Sequence, residues 1–105
     1  MKTSLLVFFS LLCFGATYAS EFYWVGKNGN FNDSENWSNI QGGQGGYGVP
    51  GATDNVFIYS LSPDQITISI NSNIQIAELH LFGKNKIHFA GNKTIKINNR
   101  LEVNS

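Results

Sequence analysis

Few side chains in this sequence can do chemistry, and their spacing narrows what that chemistry could be. Histidine occurs at His80 and His88. Each lies between two apolar neighbours of an alternating run, which turns both rings outward on different strands. A metal site would need a third ligand at helical or hairpin spacing, and none follows. The two are read as solvated surface histidines. Asp33, Glu35 and Asp54 fall in Asn- and Gly-rich loops and are the calcium candidates, through oxygen ligands. The run from Asn28 to Asp33 lacks the ordered acid spacing and closing Glu of an EF-hand, and Asx-turns and caps are the competing use. Trp24, Trp37, Tyr23 and Tyr47 are the ligand-binding candidates, because exposed rings stack on sugars. The competing use is a plug of flat side chains over an apolar core. A nucleophile elbow of the Gly-x-Ser-x-Gly type is absent, and the lone cysteine, Cys13, lies in the leader described below. No catalytic residue is read, and neither cofactor nor metal is expected.

The elements that would carry these residues divide into two stretches. Residues 20–54 are aromatic and rich in Gly and Asn, with a short strand at Glu21–Val25 and a Gly42-Gly43-Gln44-Gly45-Gly46 run. A single helical turn at Glu35–Trp37, capped by Asp33 or Ser34, is the most helix this stretch supports. The glycine run is read as an ordered turn, since Tyr47, Val49 and Pro50 follow at once. From Asn55 to Ser105 the pattern has period two: Val56/Ile58, Ile66/Ile68/Ile70, Ile74/Ile76, Leu79/Leu81, Ile87/Phe89, Ile95/Ile97 and Leu101/Val103.

These short strands also repeat. A shift of 21 residues carries Ile66 onto Ile87, Ile68 onto Phe89, Asn71 onto Asn92, Ile74 onto Ile95 and Ile76 onto Ile97. With one residue inserted near Arg100, Leu79 falls on Leu101 and Leu81 on Val103. A winding chain explains such a repeat, because each short strand then stacks on its equivalent one coil later. The expected fold is therefore all-β: a short parallel β-solenoid of about two coils, with an aromatic, loop-rich N-terminal cap. A β-sandwich fragment is the alternative. In the solenoid register Glu102 stacks on His80 and Glu78 lies near Asn99, which gives no carboxylate pair for glycoside hydrolysis. The last strand has no cap of its own, so the chain is expected to be a fragment of a longer one.

Composition agrees with these readings. Thirteen Asn, eleven Gly and ten Ile among 105 residues favour turns and strands over helices. Seven basic residues balance seven acidic ones, which leaves no electrostatic footprint for nucleic acid. Residues 1–19 read as an export signal: Lys2, an apolar core from Leu5 to Phe14, then Thr17 and Ala19 before a cut at Ala19–Ser20. The apolar core is far shorter than the ~20 residues that span a bilayer. Secretion is expected, with no membrane span, and cleavage leaves no cysteine for a disulfide or a zinc cluster. Asn32-Asp33-Ser34, Asn36-Trp37-Ser38 and Asn92-Lys93-Thr94 match the glycosylation pattern, which arises easily in a chain so rich in Asn.

Tyr23-Trp24-Val25-Gly26, Gly29-Asn30-Phe31, Asp33 and Asn36-Trp37-Ser38 form a series that continues through the glycine run, Pro50 and Asp54-Asn55-Val56-Phe57. It resembles the N-terminal module of large secreted or cell-surface proteins of gliding-type bacteria. The likeness covers Tyr23 to Phe57; Lys27 stands where a second Gly is usual, and Phe31 where Trp is common. It implies β-solenoid repeats after the module, an adhesin-like non-catalytic role, type nine secretion, and a surface polysaccharide or protein as partner. The opening of a secreted carbohydrate-active enzyme and a small carbohydrate-binding module are the alternative roles.

Overall fold

Alternating side chains give strands, and nearly every described element is one. The computed structural model describes residues 19–60, 63–83 and 86–104; the expected leader, apart from its last residue Ala19, lies outside them, Cys13 included. The strands are β1 (Glu21–Trp24), β2 (Gly29–Asn30), β3 (Trp37–Ser38), β4 (Asn55–Tyr59), β5 (Ile66–Ser69), β6 (Ile74–Phe82), β7 (Ile87–Ala90) and β8 (Ile95–Asn104). A 3-10 turn, Ser34–Asn36, interrupts them, with Asp33 as its N-cap accepting from the Glu35 N–H at 3.0 Å. Among the described residues no helix is long and apolar enough to cross a membrane.

The strands form two sheets, in the orders β3-β1-β4-β6-β8 and β2-β5-β7. Every pairing is parallel except β1 with β3. Sequence neighbours joined by hairpins, as a sandwich of meanders needs, are not what pairs here. The chain leaves the larger sheet, supplies a strand to the smaller one, and returns one position further along.

The repeat read from the sequence is the register. Ile66 faces Ile87 and Ile68 faces Phe89 across β5–β7. Ile74 faces Ile95 and Ile76 faces Ile97 across β6–β8. The register then slips, so that Glu78 faces Arg100, Leu79 faces Leu101 and Leu81 faces Val103. The inserted residue is accommodated as a bulge at Asn98–Asn99, opposite Ala77. The aromatic stretch is part of the same sheets: β1 pairs with β4 and β2 with β5. Two of its strands, β2 and β3, are absent from the sequence reading, since two residues carry no periodicity.

Inward side chains form one core. Val56, Ile58, Ile68 and Ile76 are fully enclosed, each contributing roughly 1.5–3 kcal/mol of burial. At one end Trp37 is completely buried, with Trp24, Phe31 and Phe22 set edge-on to its ring at 5.1, 4.9 and 6.3 Å. Edge-to-face packing is the favoured geometry for such rings. At the other end, Leu101 and Val103 are 56% and 44% exposed although they belong to the inward row. One end of the core is filled by aromatics, and the other is open.

Candidate functional site

Four ligand-binding candidates were read from the sequence, and the structure separates them. Trp37 has no exposed surface, and its indole N–H donates to the Phe31 carbonyl at 2.7 Å. It cannot offer a face to a sugar, because the core occupies both faces. Trp24 is buried at 6% exposure, with its indole N–H toward the Lys27 carbonyl at 3.3 Å, although part of it borders a cleft. Tyr47 is exposed and leans on Phe22, with ring centres 4.8 Å apart. Tyr23 is half-buried on the outer face of the larger sheet.

That outer face holds a ladder of rings. Tyr23, Phe57 and His80 occupy one register row across β1, β4 and β6, and Tyr59 and Phe82 the next. Tyr23 stacks on Phe57 at 5.0 Å, Phe57 on His80 at 4.5 Å, and Tyr59 on Phe82 at 4.3 Å, the last two within 7° of parallel. Parallel sheets are normally covered on both faces. Here the sheet covers its outer face with its own stacked rings.

His80 corrects the expectation of a solvated histidine: it is only 6% exposed. Its Nδ1 lies 2.6 Å from Glu102 Oε1 and its Nε2 lies 2.8 Å from Glu78 Oε1. The ring points outward as the alternation requires, but Phe57 and the two carboxylates enclose it. The bond from His80, and then one from Asn104, holds the Glu102 carboxyl below its usual pKa. Glu78 also accepts from the Asn99 amide at 3.0 Å, the proximity read from the sequence. Partial burial, followed by the 3.0 Å hydrogen bond to Glu21, pushes the Tyr23 hydroxyl pKa up. His88 is exposed, as expected.

Of the calcium candidates, Asp33 and Asp54 accept from backbone N–H groups, and Glu35 lies in the 3-10 turn that Asp33 caps. Asp33 caps the 3-10 turn; Asp54 accepts from the Gly51 N–H at 2.7 Å and from the Ser20 N–H at 3.3 Å. Among the described residues no group of three or more His, Cys, Asp or Glu side chains is placed to hold a metal.

A cleft of about 330 Å³ lies beside the aromatic end. Trp24 and Tyr59 border it on the sheet side; Lys27, Gln41, Asp64 and Gln65 bring polar groups to it. Two turns build its rim. Val25 is tied to the Asn36 carbonyl at 2.8 Å, and the Ile40–Gly43 turn closes through Gly43 N–H to Ile40 C=O at 3.1 Å. The glycine run is ordered, as read: Gly46 donates to the Ser34 carbonyl and Tyr47 to the Trp37 carbonyl at 2.9 and 3.1 Å. Gly45 is required there, since a Cβ would collide with the Glu35 carbonyl. A small cleft bordered by rings, with a few converging amides and charges, can bind a polar ligand that has an apolar face.

The sequence reading missed Phe57, Tyr59 and Phe82. The signal was present: a shift of 23 places Phe57 on His80 and Tyr59 on Phe82, but that return differs from the 21-residue one found downstream. Comparisons with known protein families, with curated proteins and with solved structures found no match.

Proposed function

We propose that this chain is a non-catalytic, secreted or cell-surface module of the adhesin-like kind, built as a short parallel β-solenoid whose first coil is filled by aromatic side chains. Its ligand is a sugar unit of a surface polysaccharide, held in the cleft between Trp24 and Tyr59. The observation that carries the reading is that cleft. The aromatic surface of Trp24 and Tyr59 suits a pyranose's apolar C–H face, while Gln41, Gln65 and Lys27 bring donors and acceptors for its hydroxyls. The parallel registers at intervals of 21 to 23 residues support the solenoid. The resemblance of the Tyr23–Phe57 stretch supports the surface role.

The test is retention on immobilised polysaccharides and a glycan array, comparing the parent chain with Tyr59→Ala and Gln65→Ala. The parent should bind at least one glycan, and each substitution should weaken binding by at least tenfold while circular dichroism stays unchanged. A parent that binds none, or binding indifferent to both changes, would overturn the reading.

A further inference from the structure

The charge bordering the cleft says which class of sugar it takes, given that the cleft is the binding site. Lys27 stands at its rim with an exposed side chain. The ion pairs among the described residues belong to His80, so no carboxylate there neutralises the Lys27 ammonium. Asp64 borders the same cleft and already has a partner of its own. Among the described residues around the cleft, the uncommitted charge is therefore positive.

Backbone groups at this rim point the same way. The Lys27 carbonyl is occupied by the Trp24 indole N–H at 3.3 Å, and the Ile40 carbonyl by the Gly43 N–H at 3.1 Å. The Gln41 and Gly42 N–H groups, in the turn that the second bond closes, have no acceptor among the described residues. Open donors beside a cation suit an oxyanion, which accepts hydrogen bonds and cannot donate them.

The root of Lys27 is fixed. The bond from Trp24 closes the loop before it, and the Val25 N–H donates to the Asn36 carbonyl at 2.8 Å. Gly26 packs so closely on the Asn36 side chain that a Cβ would lie 2.4 Å from its Oδ1. The flexible lysine stem thus starts from an ordered position and can place its point charge over the cleft. An acidic substituent stands at the edge of a pyranose, so a ring stacked on Trp24 and Tyr59 leaves that group at the rim.

We propose that the cleft selects an anionic pyranose, whose carboxylate or sulfate ester pairs with the Lys27 ammonium. The proposal rests on the sugar-binding reading of the cleft and narrows its substrate class.

The test is titration of the chain with oligomers of hexuronates, with their carboxyl-reduced neutral counterparts, and with sulfated forms of those neutral oligomers. An acidic oligomer should bind about fivefold or more tighter than its neutral counterpart, the scale of one partly screened ion pair. The uronate and sulfate arms identify which oxyanion is taken. Added salt should shrink the preference. Lys27→Gln should abolish it with an unchanged circular dichroism spectrum, and Lys27→Arg should keep it. Equal binding of acidic and neutral oligomers, or a preference that survives in Lys27→Gln, overturns the proposal and leaves the cleft a sugar site. Binding of no oligomer, charged or neutral, overturns both.

Discussion

Single asparagine amides tie together segments far apart in the sequence. The Asn28 side chain accepts from the Thr67 N–H at 2.8 Å, and that of Asn73 from the Thr94 N–H at 3.1 Å. Asn71 donates to the Asn30 side-chain oxygen at 2.6 Å. Among apolar side chains Trp37 counts most. Trp37→Ala should cost about 3–5 kcal/mol, measured by urea denaturation, because it opens a cavity among three rings. Trp37→Phe should cost less, leaving the Phe31 carbonyl without its donor. The outward Glu102 predicts an acid response. Its pKa is lower folded than unfolded, so as pH falls the unfolded chain protonates first and gains relative to the folded one. The stabilisation is complete above the usual carboxyl value of 4.5 and is lost as pH drops through the lowered one. Parent and Glu102→Gln stabilities, measured from pH 7 to 3, should therefore converge at the acid end.

At the scale of elements, legibility followed periodicity. Each strand from Ile66 onward alternates over three or more residues and recurs after a fixed interval, so both its existence and its partner could be read. The slip near Arg100 was visible because Leu and Val resumed one residue late. In the aromatic stretch the same reading falters. There β2 and β3 are two residues long, and their partners are set by loop contacts such as Phe31 N–H to Ser69 C=O at 3.0 Å. The cleft was illegible for the same reason: the Gly42 and Gln65 regions converge only once the loops are placed. His80 misled because alternation reports which way a side chain points, not what lies against it. Corners are the sensitive joints of these elements. Gly91 has φ near +129°, and a Cβ there would lie 2.5 Å from the Ile70 carbonyl. Gly91→Ala should destabilise the chain by at least about 1 kcal/mol, with the loss of protection centred on β5 and β7 in hydrogen exchange.

The whole molecule has a direction. Aromatic rings close the core where β1 and β3 begin the larger sheet, and aliphatic side chains emerge where β8 ends it. Hydrogen exchange should report that polarity: the amides of β4 and β6, flanked by strands on both sides, exchange slowly. The amides of Ile95, Ile97, Leu101 and Val103, which point away from β6, should exchange faster in this chain. Uniform protection across β4, β6 and β8 would contradict both statements. Closing the aromatic end also has an optical consequence. The chain has two tryptophans, and their rings sit 5.1 Å apart and nearly perpendicular. Indole transitions at that separation couple, so the folded chain should show an exciton couplet in its circular dichroism that vanishes when either ring is replaced by Phe. The aromatic end thus contains its own spectroscopic reporter, readable without any added label.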